Sequence, residues 1–533
     1  MAEAGYRELI RSYLDLRWQL DPVAATMAGI ETHDAHLGRF SSADVKVAVA
    51  ALKAMASAFE ALIVESLDDQ VDLTAVLNDL RVWIQRLEKE RPHELNPEFH
   101  LTHLMTGLFA LIIRSDRPAE LRGRALGARL ADTPRFLDEA KATLKRPAPV
   151  FTETALSVAR GGSALFSDAI PRFAAGLSEV VRRQIEESLG PARDALRDFT
   201  DFLAGELTDR SDGDFAIGRD AFDFRLSFEH ALKETSSGLL KYGERLVAEL
   251  DADLMRRAGM LSPGTSWREL AVRLRGATTT ADELVERYAS EMERARLFVI
   301  ERALVSIPEG PLDVIATPSF MAPLIPFAAY DPPGAFSEDR RGWFYVTVPE
   351  PSRLGDHCVH EIACTALHEG YPGHHLQFLV AQAQRSPVRR LVSSPLTVEG
   401  WALYCEELMS DLGFLDKPEE VFFQRLHLLW RAVRIVLDIR LHTMGMSVEA
   451  AVNYMVDTLG IGRDSADAEV RRYCGAPAYQ LCYAVGRREL LRLREDYARR
   501  EGVSFSLKKF HDEVLSYGGL PVSLIRWGME LTD

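Results

Sequence analysis

The feature that most constrains this fold is a helical spacing of apolar residues that extends through most of the chain. From residue 1 to about 300, apolar side chains recur at intervals of three and four with charged side chains between them, as in 48–55 and 239–250. Such spacing is typical of amphipathic helices that bury one face. The sequence therefore predicts a mostly α protein built from long, stacked helices.

Helical spacing is interrupted between about 305 and 350, where proline recurs. An aromatic and β-branched run bounded by Gly342 and Pro349 predicts a strand over 343–348, part of a small sheet. Helical spacing returns after this region. We expect two interwoven lobes, a helical lobe at 1–300 and a second lobe at 301–533.

The charge balance restricts the partners. Lys and Arg number 63 against 79 Asp and Glu, a net charge of −16, and no run is rich in basic residues. This argues against nucleic acid or an anionic membrane and favours small or peptidic substrates. The first residues lack the pattern of a secretory signal and no apolar stretch approaches the roughly 18 residues of a membrane span, so we expect a cytoplasmic protein. The oligomeric state is left open.

The cysteines predict free thiols. The chain has five, an odd number, and none forms a CxxC pair. We therefore expect buried, reduced cysteines rather than a disulfide framework.

Histidine is concentrated in one short segment: five of the fourteen lie between 357 and 375. His368 and Glu369 open the zinc-peptidase motif HExxH, in which two histidines one turn apart bind Zn²⁺ and the glutamate activates a water molecule. Position 372, however, is Pro. The next histidines are His374 and His375.

The spacing of these histidines requires a break in the helix. On an unbroken helix the seventh residue lies about 10.5 Å along the axis, whereas two nitrogens on one zinc ion lie within about 4 Å of each other. Pro372 and its flanking glycines make a local loop plausible. Looping out two residues would restore the one-turn relation between His368 and His374, which makes His374 the favoured second ligand. His375 is the alternative ligand, or a substrate contact.

A third ligand is expected from another helix. Glu399 lies 30 residues after Glu369, a suitable distance for a turn and an antiparallel helix, and the apolar residues beside it place it on a mostly buried face. The alternative interpretation is a solvated glutamate. Glu406, two turns further, is a candidate acceptor for a hydrogen bond from a ligand histidine.

Two segments, 368–377 (HEGYPGHHLQ) and 399–404 (EGWALY), resemble the DUF885 family of bacterial proteins of uncharacterised function. The resemblance extends to 21–29 and 33–34 near the N-terminus and to 469–473 near the C-terminus. That family looks like a branch of the gluzincin metallopeptidases, similar in architecture to the carboxypeptidase Taq and oligopeptidase groups. The resemblance implies a mostly α, two-lobed helical metallopeptidase-like fold with a deep cleft, a catalytic lobe at 301–533 and the small sheet beside the active-site helix that carries His368. It supplies no substrate.

A gluzincin also needs a donor for the oxyanion, usually a Tyr or His from a late helix. The segment 477–487 resembles the family's Pro…Tyr…Gly spacing, which points to Tyr483; the alternative is a packed core tyrosine. The segment departs from the family where Ala478 and Tyr479 replace Gly-Gln and where Ala484 replaces a basic residue.

Four further residues are candidates for substrate binding or support. Arg487 is suited to hold a substrate carboxylate, or is solvated. Tyr345 lies in the strand whose edge, as the resemblance implies, accepts an extended peptide, unless that strand is fully paired. Asp438 and His442, one turn apart, are a pair behind the ligands or an ordinary intrahelical hydrogen bond.

These observations lead to one hypothesis and two alternatives. The hypothesis is a zinc metallopeptidase for short peptides, a carboxypeptidase or oligopeptidase, in which Glu369 is the general base and Tyr483 stabilises the oxyanion. The first alternative is a metallo-amidase for a non-peptide metabolite. The second is a catalytically silent peptide-binding protein that kept the fold.

Overall fold

The computed structural model describes residues 2–114, 116–318, 321, 322, 325 and 327–531. Helices dominate this part of the chain, and three strands form one small sheet. The prediction of a mostly α protein with a minor β element is confirmed.

The chain folds into two compact units. The first comprises 1–217 with 319–324 and 334–339, and the second comprises 218–318, 325–333 and 340–533. This division falls after Ile217 and not near residue 300, where the sequence placed the lobe boundary. Helical spacing marks where helices form, but it does not show which helices pack together.

The first unit is entirely helical among its described residues, with π-helical turns continuing three of its helices at 86–90, 165–169 and 203–207. Its α-helices are α1 (Ala2–Leu20), α2 (Pro22–Ala28), α3 (Ser42–Glu60), α4 (Leu67–Gln85), α5 (Pro92–Leu95), α6 (Pro97–Ile113), α7 (Ala119–Thr143), α8 (Pro149–Ala164), α9 (Ile170–Ala175) and α10 (Glu179–Phe202).

The core of the first unit forms where α7 packs against α6 and α10. On α10 the buried residues recur every three or four positions, from Val181 through Ile185 to Phe199, while most of the intervening positions are charged. Leu108 and Leu130 supply fully buried side chains from α6 and α7. Removing this apolar surface from water stabilises the bundle by about 25 cal/mol per Å².

The second unit contains the remaining helices and the sheet. Its α-helices are α11 (Arg219–Phe228), α12 (Ser236–Leu261), α13 (Trp267–Arg275), α14 (Leu284–Glu301), α15 (Val359–Glu369), α16 (His374–Gln382), α17 (Pro387–Leu391), α18 (Pro395–Asp411), α19 (Pro418–Thr443), α20 (Val448–Leu459), α21 (Arg463–Cys474), α22 (Cys482–Glu501), α23 (Leu507–Leu515) and α24 (Val522–Gly528).

Three helix pairs organise the second unit: α12 packs against α19, α14 against α15, and α18 against α22. The first two of these pairs join residues before 300 to residues after 350. This packing explains why α12 and α14 belong to the second unit, although the sequence placed them with the first 300 residues.

The sheet has the order β1-β3-β2, formed by Leu312–Ala316, Ala328–Asp331 and Gly342–Val346. Strand β3 is central, parallel to β1 and antiparallel to β2. Phe344 and Val346 of β3 pack with Ile362 and Ala366 of α15. The sheet therefore lies beside the helix that carries His368, as predicted.

Strand β3 has no free edge within its described length. Tyr345 pairs with Ile315 on one side and with Ala329 on the other, and its side chain is buried. Of the two predicted alternatives for this strand, full pairing is the one observed. The expectation that β3 accepts an extended peptide through Tyr345 is wrong, because its backbone groups are already bonded to neighbouring strands.

All five cysteines are buried and unpaired, as the sequence predicts. Among the described residues, no helix combines the length and apolar character needed to cross a membrane.

Candidate metal centre

Two of the predicted ligands lie on either side of a break between two helices. Helix α15 ends at Glu369 and α16 begins at His374, so His368 is in the last turn of one helix and His374 is the first residue of the next. The two imidazole rings lie 4.8 Å apart, centroid to centroid, at an angle of 88°. The helix break that Pro372 predicts is present, and it brings these two rings together.

Close backbone contacts hold the segment 370–373 that separates the two helices. A Cβ atom on Gly373 would lie 1.8 Å from the carbonyl oxygen of His368, so only glycine fits there. The carbonyl of Pro372 accepts a hydrogen bond of 2.8 Å from Nε1 of Trp401 on α18. Helix α18 therefore fixes the loop that positions the histidines.

Glu399 of α18 completes the group. Its Oε2 atom lies 3.5 Å from Nε2 of His374, and one ligand atom from each of His368, His374 and Glu399 lies within 4.8 Å of the other two. No other group of three potential ligands of this kind was found among the described residues. The structure thus brings together the three residues that the sequence proposed as ligands.

A glycine contact between α18 and α22 determines where Glu399 lies. A Cβ atom on Gly400 would lie 2.5 Å from the carbonyl carbon of Gly486, and one on Gly486 would lie 1.9 Å from the carbonyl oxygen of Leu396. The two backbones therefore approach each other more closely than side chains would allow. This crossing places Glu399 near the start of α22 and near Tyr483.

His375 is directed away from the group. Its Nδ1 accepts a hydrogen bond of 3.0 Å from the Tyr330 hydroxyl on β2, and its Nε2 lies 3.3 Å from the carbonyl oxygen of Gly310. Both ring nitrogens are therefore bonded to other groups. Of the two candidate histidines, His374 is the one placed beside His368 and Glu399.

His374 and Glu399 form a strongly interacting pair. Burial alone would lower the pKa of His374, but its hydrogen bond to Glu399 and the charges of Glu369 and Glu399 raise it to about 9. Burial would raise the pKa of Glu399, yet its contacts with His374, His368 and Tyr479 lower it to about 2. Without a metal ion the pair is an imidazolium and a carboxylate, and a bound cation would displace that proton.

Each histidine has a hydrogen-bond partner at its Nδ1 atom. Nδ1 of His368 donates to Oε1 of Glu406 at 2.8 Å, which leaves Nε2 for a ligand bond. Glu406 is 1% exposed, and the bond is the one that the sequence proposed for it. Nδ1 of His374 lies 3.4 Å from Oε1 of Gln377, which sequence reasoning missed although Gln377 closes the recognised segment.

A tyrosine that the sequence did not select contacts the third ligand. The hydroxyl of Tyr479 donates to Oε1 of Glu399 at 2.6 Å, which leaves Oε2 directed at His374. The ring of Tyr483 lies 6.2 Å from that of Tyr479. Burial, followed by the charge of Glu399, raises the pKa of Tyr483 to about 12, so its hydroxyl is a hydrogen-bond donor at neutral pH.

Asp438 holds the turn that presents this tyrosine. It accepts backbone hydrogen bonds from Ala478 at 3.0 Å and from Leu481 at 3.2 Å, and burial raises its pKa to about 7. His442 bonds to the carbonyl oxygen of Tyr473 at 3.0 Å. Asp438 therefore supports the centre from behind, through the backbone of the turn.

His230 supports the same turn from the opposite side, and the sequence gave no sign of this role. Its Nε2 donates to the carbonyl oxygen of Ala478 at 2.8 Å, and its Nδ1 accepts from the hydroxyl of Ser394 at 2.9 Å. Ser394 is the N-cap of α18. One buried imidazole therefore links the turn at 478 to the start of the helix that carries Glu399.

Arg487 is paired with a protein carboxylate. Its guanidinium contacts Glu407 of α18, and both side chains are largely buried. Neither of the predicted environments, a substrate carboxylate or bulk solvent, describes this arginine.

The donor types and one of their three separations are compatible with zinc. A tetrahedral zinc ion with ligands at about 2.0–2.2 Å separates its donor atoms by about 3.3–3.6 Å. The separation of 3.5 Å between His374 Nε2 and Glu399 Oε2 lies in that range. Two imidazoles and one carboxylate also match catalytic zinc sites, which keep a further position for water or substrate.

Comparisons with known proteins identify the family and the fold. The family model described as "Bacterial protein of unknown function (DUF885)" matches residues 22–529. A "putative lipoprotein of unknown function" from Shewanella oneidensis is 22% identical, with a TM-score of 0.82 over 98% of this chain and 99% of that chain. A "putative lipoprotein" from Colwellia psychrerythraea is 17% identical, with a TM-score of 0.86 over 99% of this chain and 98% of that chain. No curated protein matched the chain.

Proposed function

We propose that this chain, which belongs to the DUF885 family of bacterial proteins of unknown function, is a zinc-dependent hydrolase of peptide bonds in short peptides. The observation that carries the proposal is the convergence of His368, His374 and Glu399 at a break directly after Glu369. This arrangement performs the role of an HExxH motif, although its second histidine is displaced by two positions.

His368, His374 and Glu399 would hold the metal. Zinc, when bound, acts as a Lewis acid and lowers the pKa of a water molecule in the open position to about 7. Glu406 keeps His368 in the tautomer that offers Nε2, and Tyr479 keeps Oε2 of Glu399 directed at His374.

Glu369 is the proposed carrier of the proton. It follows His368 in the chain, is partly exposed, and its charge acts on His374. During hydrolysis its carboxylate accepts a proton from the attacking water and delivers it to the amine nitrogen as the C–N bond breaks. The products are one carboxylate and one amine.

Tyr483 is the candidate donor to the oxyanion that develops on the carbonyl oxygen. Its hydroxyl is neutral at physiological pH because its pKa is raised to about 12. Such donors typically contribute about 10²–10³-fold to kcat.

Limited access supports a small substrate. The side chains of His368, His374 and Glu399 are 10%, 10% and 13% exposed. A flexible segment of a few residues reaches such a centre more easily than a folded protein surface does.

A Glu369→Gln substitution tests the proposal. The variant should bind zinc like the wild type and lose hydrolysis of short peptides, because glutamine cannot accept the proton. A panel of short peptides and N-acylated amino acids separates the peptidase from a metallo-amidase. Equal activity of wild type and variant, or no hydrolysis of either substrate class by the zinc-loaded wild type, would contradict the proposal.

A further inference from the structure

We propose that Arg434 of α19 is a positioning residue for Tyr483, whose ring it holds through a cation–π contact. The proposal rests on the proposed function, in which the Tyr483 hydroxyl donates to the oxyanion. Arg434 acts on the reaction through that ring, because its own hydrogen bonds are made to side chains of another helix, α21.

The hydroxyl of Tyr483 lies beside the candidate metal centre. It interacts with the hydroxyl of Tyr479, which donates to Oε1 of Glu399 at 2.6 Å. The charge of Glu399 also acts on Tyr483. A donor for a developing oxyanion must be held in place before the reaction, because a misplacement of about 1 Å can cost about 100-fold in rate. The ring that carries this hydroxyl therefore needs a fixed support.

The guanidinium of Arg434 is fixed by two partners on α21. Its Nε donates to the hydroxyl of Tyr473 at 3.0 Å, and its Nη2 donates to Oε2 of Glu469 at 3.1 Å. The Tyr473 hydroxyl donates to the same carboxylate oxygen at 2.6 Å and accepts from Nε1 of Trp430 at 3.3 Å. Tyr473 is fully buried, and the Arg434 side chain is 13% exposed. Arg434, Tyr473 and Glu469 are thus all bonded to one another, which restricts the guanidinium to one position.

This fixed cation lies over the ring of Tyr483. The guanidinium carbon of Arg434 is 4.9 Å from the ring centroid, within the roughly 6 Å of a cation–π contact. The rings of Trp430 and Tyr473 are further from it, at 5.7 Å and 5.8 Å. Arg431 also approaches the Tyr483 ring, but at 5.8 Å. Of the two arginines beside this ring, Arg434 is the nearer.

A contact with the ring suits an oxyanion donor. The attraction between a cation and the face of an aromatic ring does not use the phenol hydroxyl. Arg434 can therefore hold Tyr483 in place while its hydroxyl stays available to the substrate. A hydrogen bond from Arg434 to that hydroxyl would instead compete for its oxygen.

The competing explanation is that Arg434 only joins α19 to α21 through Glu469 and Tyr473. Such a role would contribute to stability whether or not Tyr483 carries a hydroxyl. The positioning role affects catalysis only when the hydroxyl is present. The two explanations therefore differ in how substitutions at Arg434 and Tyr483 combine.

A double-mutant cycle separates these explanations. Arg434→Met removes the cation and keeps an unbranched side chain; we expect kcat for a short peptide to fall about 2–30-fold, the equivalent of a lost cation–π contact, at nearly unchanged KM and zinc affinity. In a Tyr483→Phe background the same substitution should leave kcat unchanged, because no hydroxyl remains to be positioned. Arg434→Lys should restore part of the loss, since it keeps the charge but not the planar fork.

Arg440→Met is the matched control. Arg440 lies on the same helix, pairs with Glu244 at 2.7 Å, and has its guanidinium 5.5 Å from the ring of Tyr454. Its loss should leave kcat unchanged. Thermal unfolding of each variant is measured in parallel. If Arg434→Met lowers kcat equally in both backgrounds, or lowers thermal stability alone, Arg434 only joins the two helices and the proposal is overturned.

Fluorine NMR tests the contact without relying on turnover. Tyr483 is replaced by 3-fluorotyrosine in the otherwise wild-type chain, in Arg434→Met and in Arg440→Met. We expect Arg434→Met to shift the fluorine resonance and to increase the rate at which the ring flips, because the ring loses its charged neighbour. Arg440→Met should match the wild type. A spectrum of Arg434→Met that is identical to the wild type would overturn the proposal.

The result is separable from the proposed function. If the wild type cleaves no peptide but the fluorine signal depends on Arg434, the hydrolase proposal fails and the hold of Arg434 on Tyr483 stands. If peptides are cleaved but neither the fluorine signal nor the mutant cycle depends on Arg434, the positioning role is wrong and the proposed function is retained.

Discussion

The hydroxyl of Tyr479 donates a 2.6 Å hydrogen bond to Oε1 of Glu399, from a turn that lies 80 residues further along the chain. This bond leaves Oε2 of the glutamate directed at His374. The turn itself is held by Asp438 and His230, so the orientation of one ligand depends on residues of three other elements.

Replacing Tyr479 with Phe should weaken zinc binding about 10–100-fold, the usual cost of losing a residue that orients a ligand. A competition titration with a zinc-binding dye measures the change. Tyr483→Phe is the matched control, since it removes a hydroxyl not bonded to Glu399 and should reduce kcat at nearly unchanged zinc affinity. Equal zinc affinities in wild type and Tyr479→Phe would show that Glu399 needs no such support.

Replacing Glu406 with Gln should also weaken zinc binding, by about 10–100-fold, because a neutral amide stabilises the His368 imidazole less than a carboxylate does. The adjacent Glu407→Gln is the control: Glu407 pairs with Arg487 and not with a ligand. We expect the same dye titration to separate the two variants. If both lower zinc affinity equally, the effect comes from a general loss of charge on α18.

Replacing Gly400 with Ala should destabilise the protein by about 1–3 kcal/mol, because the new methyl group overpacks the contact between α18 and α22. The added Cβ would lie 2.5 Å from Gly486, whereas a Cβ on Gly259 of α12 meets no atom within 4 Å. Gly259→Ala should therefore be neutral or stabilising by up to about 1 kcal/mol. Denaturant unfolding of both variants distinguishes these outcomes; equal stabilities would mean that the two backbones lie further apart.

Zinc binding should release about one proton near pH 7 and strengthen as the pH rises towards 9, because the pKa of His374 is raised to about 9 without metal. In the metal-free protein, the contribution of His374 to folding stability is fully present below its ordinary pKa of 6.5 and is lost as the pH rises through 9. The contribution of Glu399 to folding stability is fully present above its ordinary pKa of 4.5 and is lost as the pH falls towards 2.

Calorimetric zinc titrations in two buffers of different ionisation enthalpy count the released protons. A His375→Ala variant should give the same count, since burial lowers the pKa of His375 to about 4 and leaves it neutral. Binding at pH 7 with no proton released would contradict the ion pair between His374 and Glu399.

The sequence alone predicted those residues of the centre that can be recognised from their neighbours in the chain. The glycines and Pro372 showed that the helix must break, and the spacing of ligand atoms around zinc favoured His374 over His375. Glu399 and Glu406 followed from their positions on an apolar helix. Each inference used residues within one or two neighbouring helices.

Contacts between distant segments were not predictable in this way. Tyr479 entered only as a departure from the family pattern, because it lies 80 residues from Glu399 in the sequence. The close approach of Gly400 and Gly486 is visible only once both helices are placed. The boundary near residue 300 differed from the observed division for the same reason: α12 packs on a helix almost 200 residues later.

The most direct test of the centre is the zinc content of the purified protein, measured by elemental analysis on the wild type and on the His374→Ala, His375→Ala and Glu369→Gln variants. Thermal unfolding confirms that each is folded. We expect about one zinc ion per chain in the wild type, in His375→Ala and in Glu369→Gln, and none in His374→Ala. A folded wild type that takes up no zinc from excess, or a His374→Ala variant that retains it, would contradict the account.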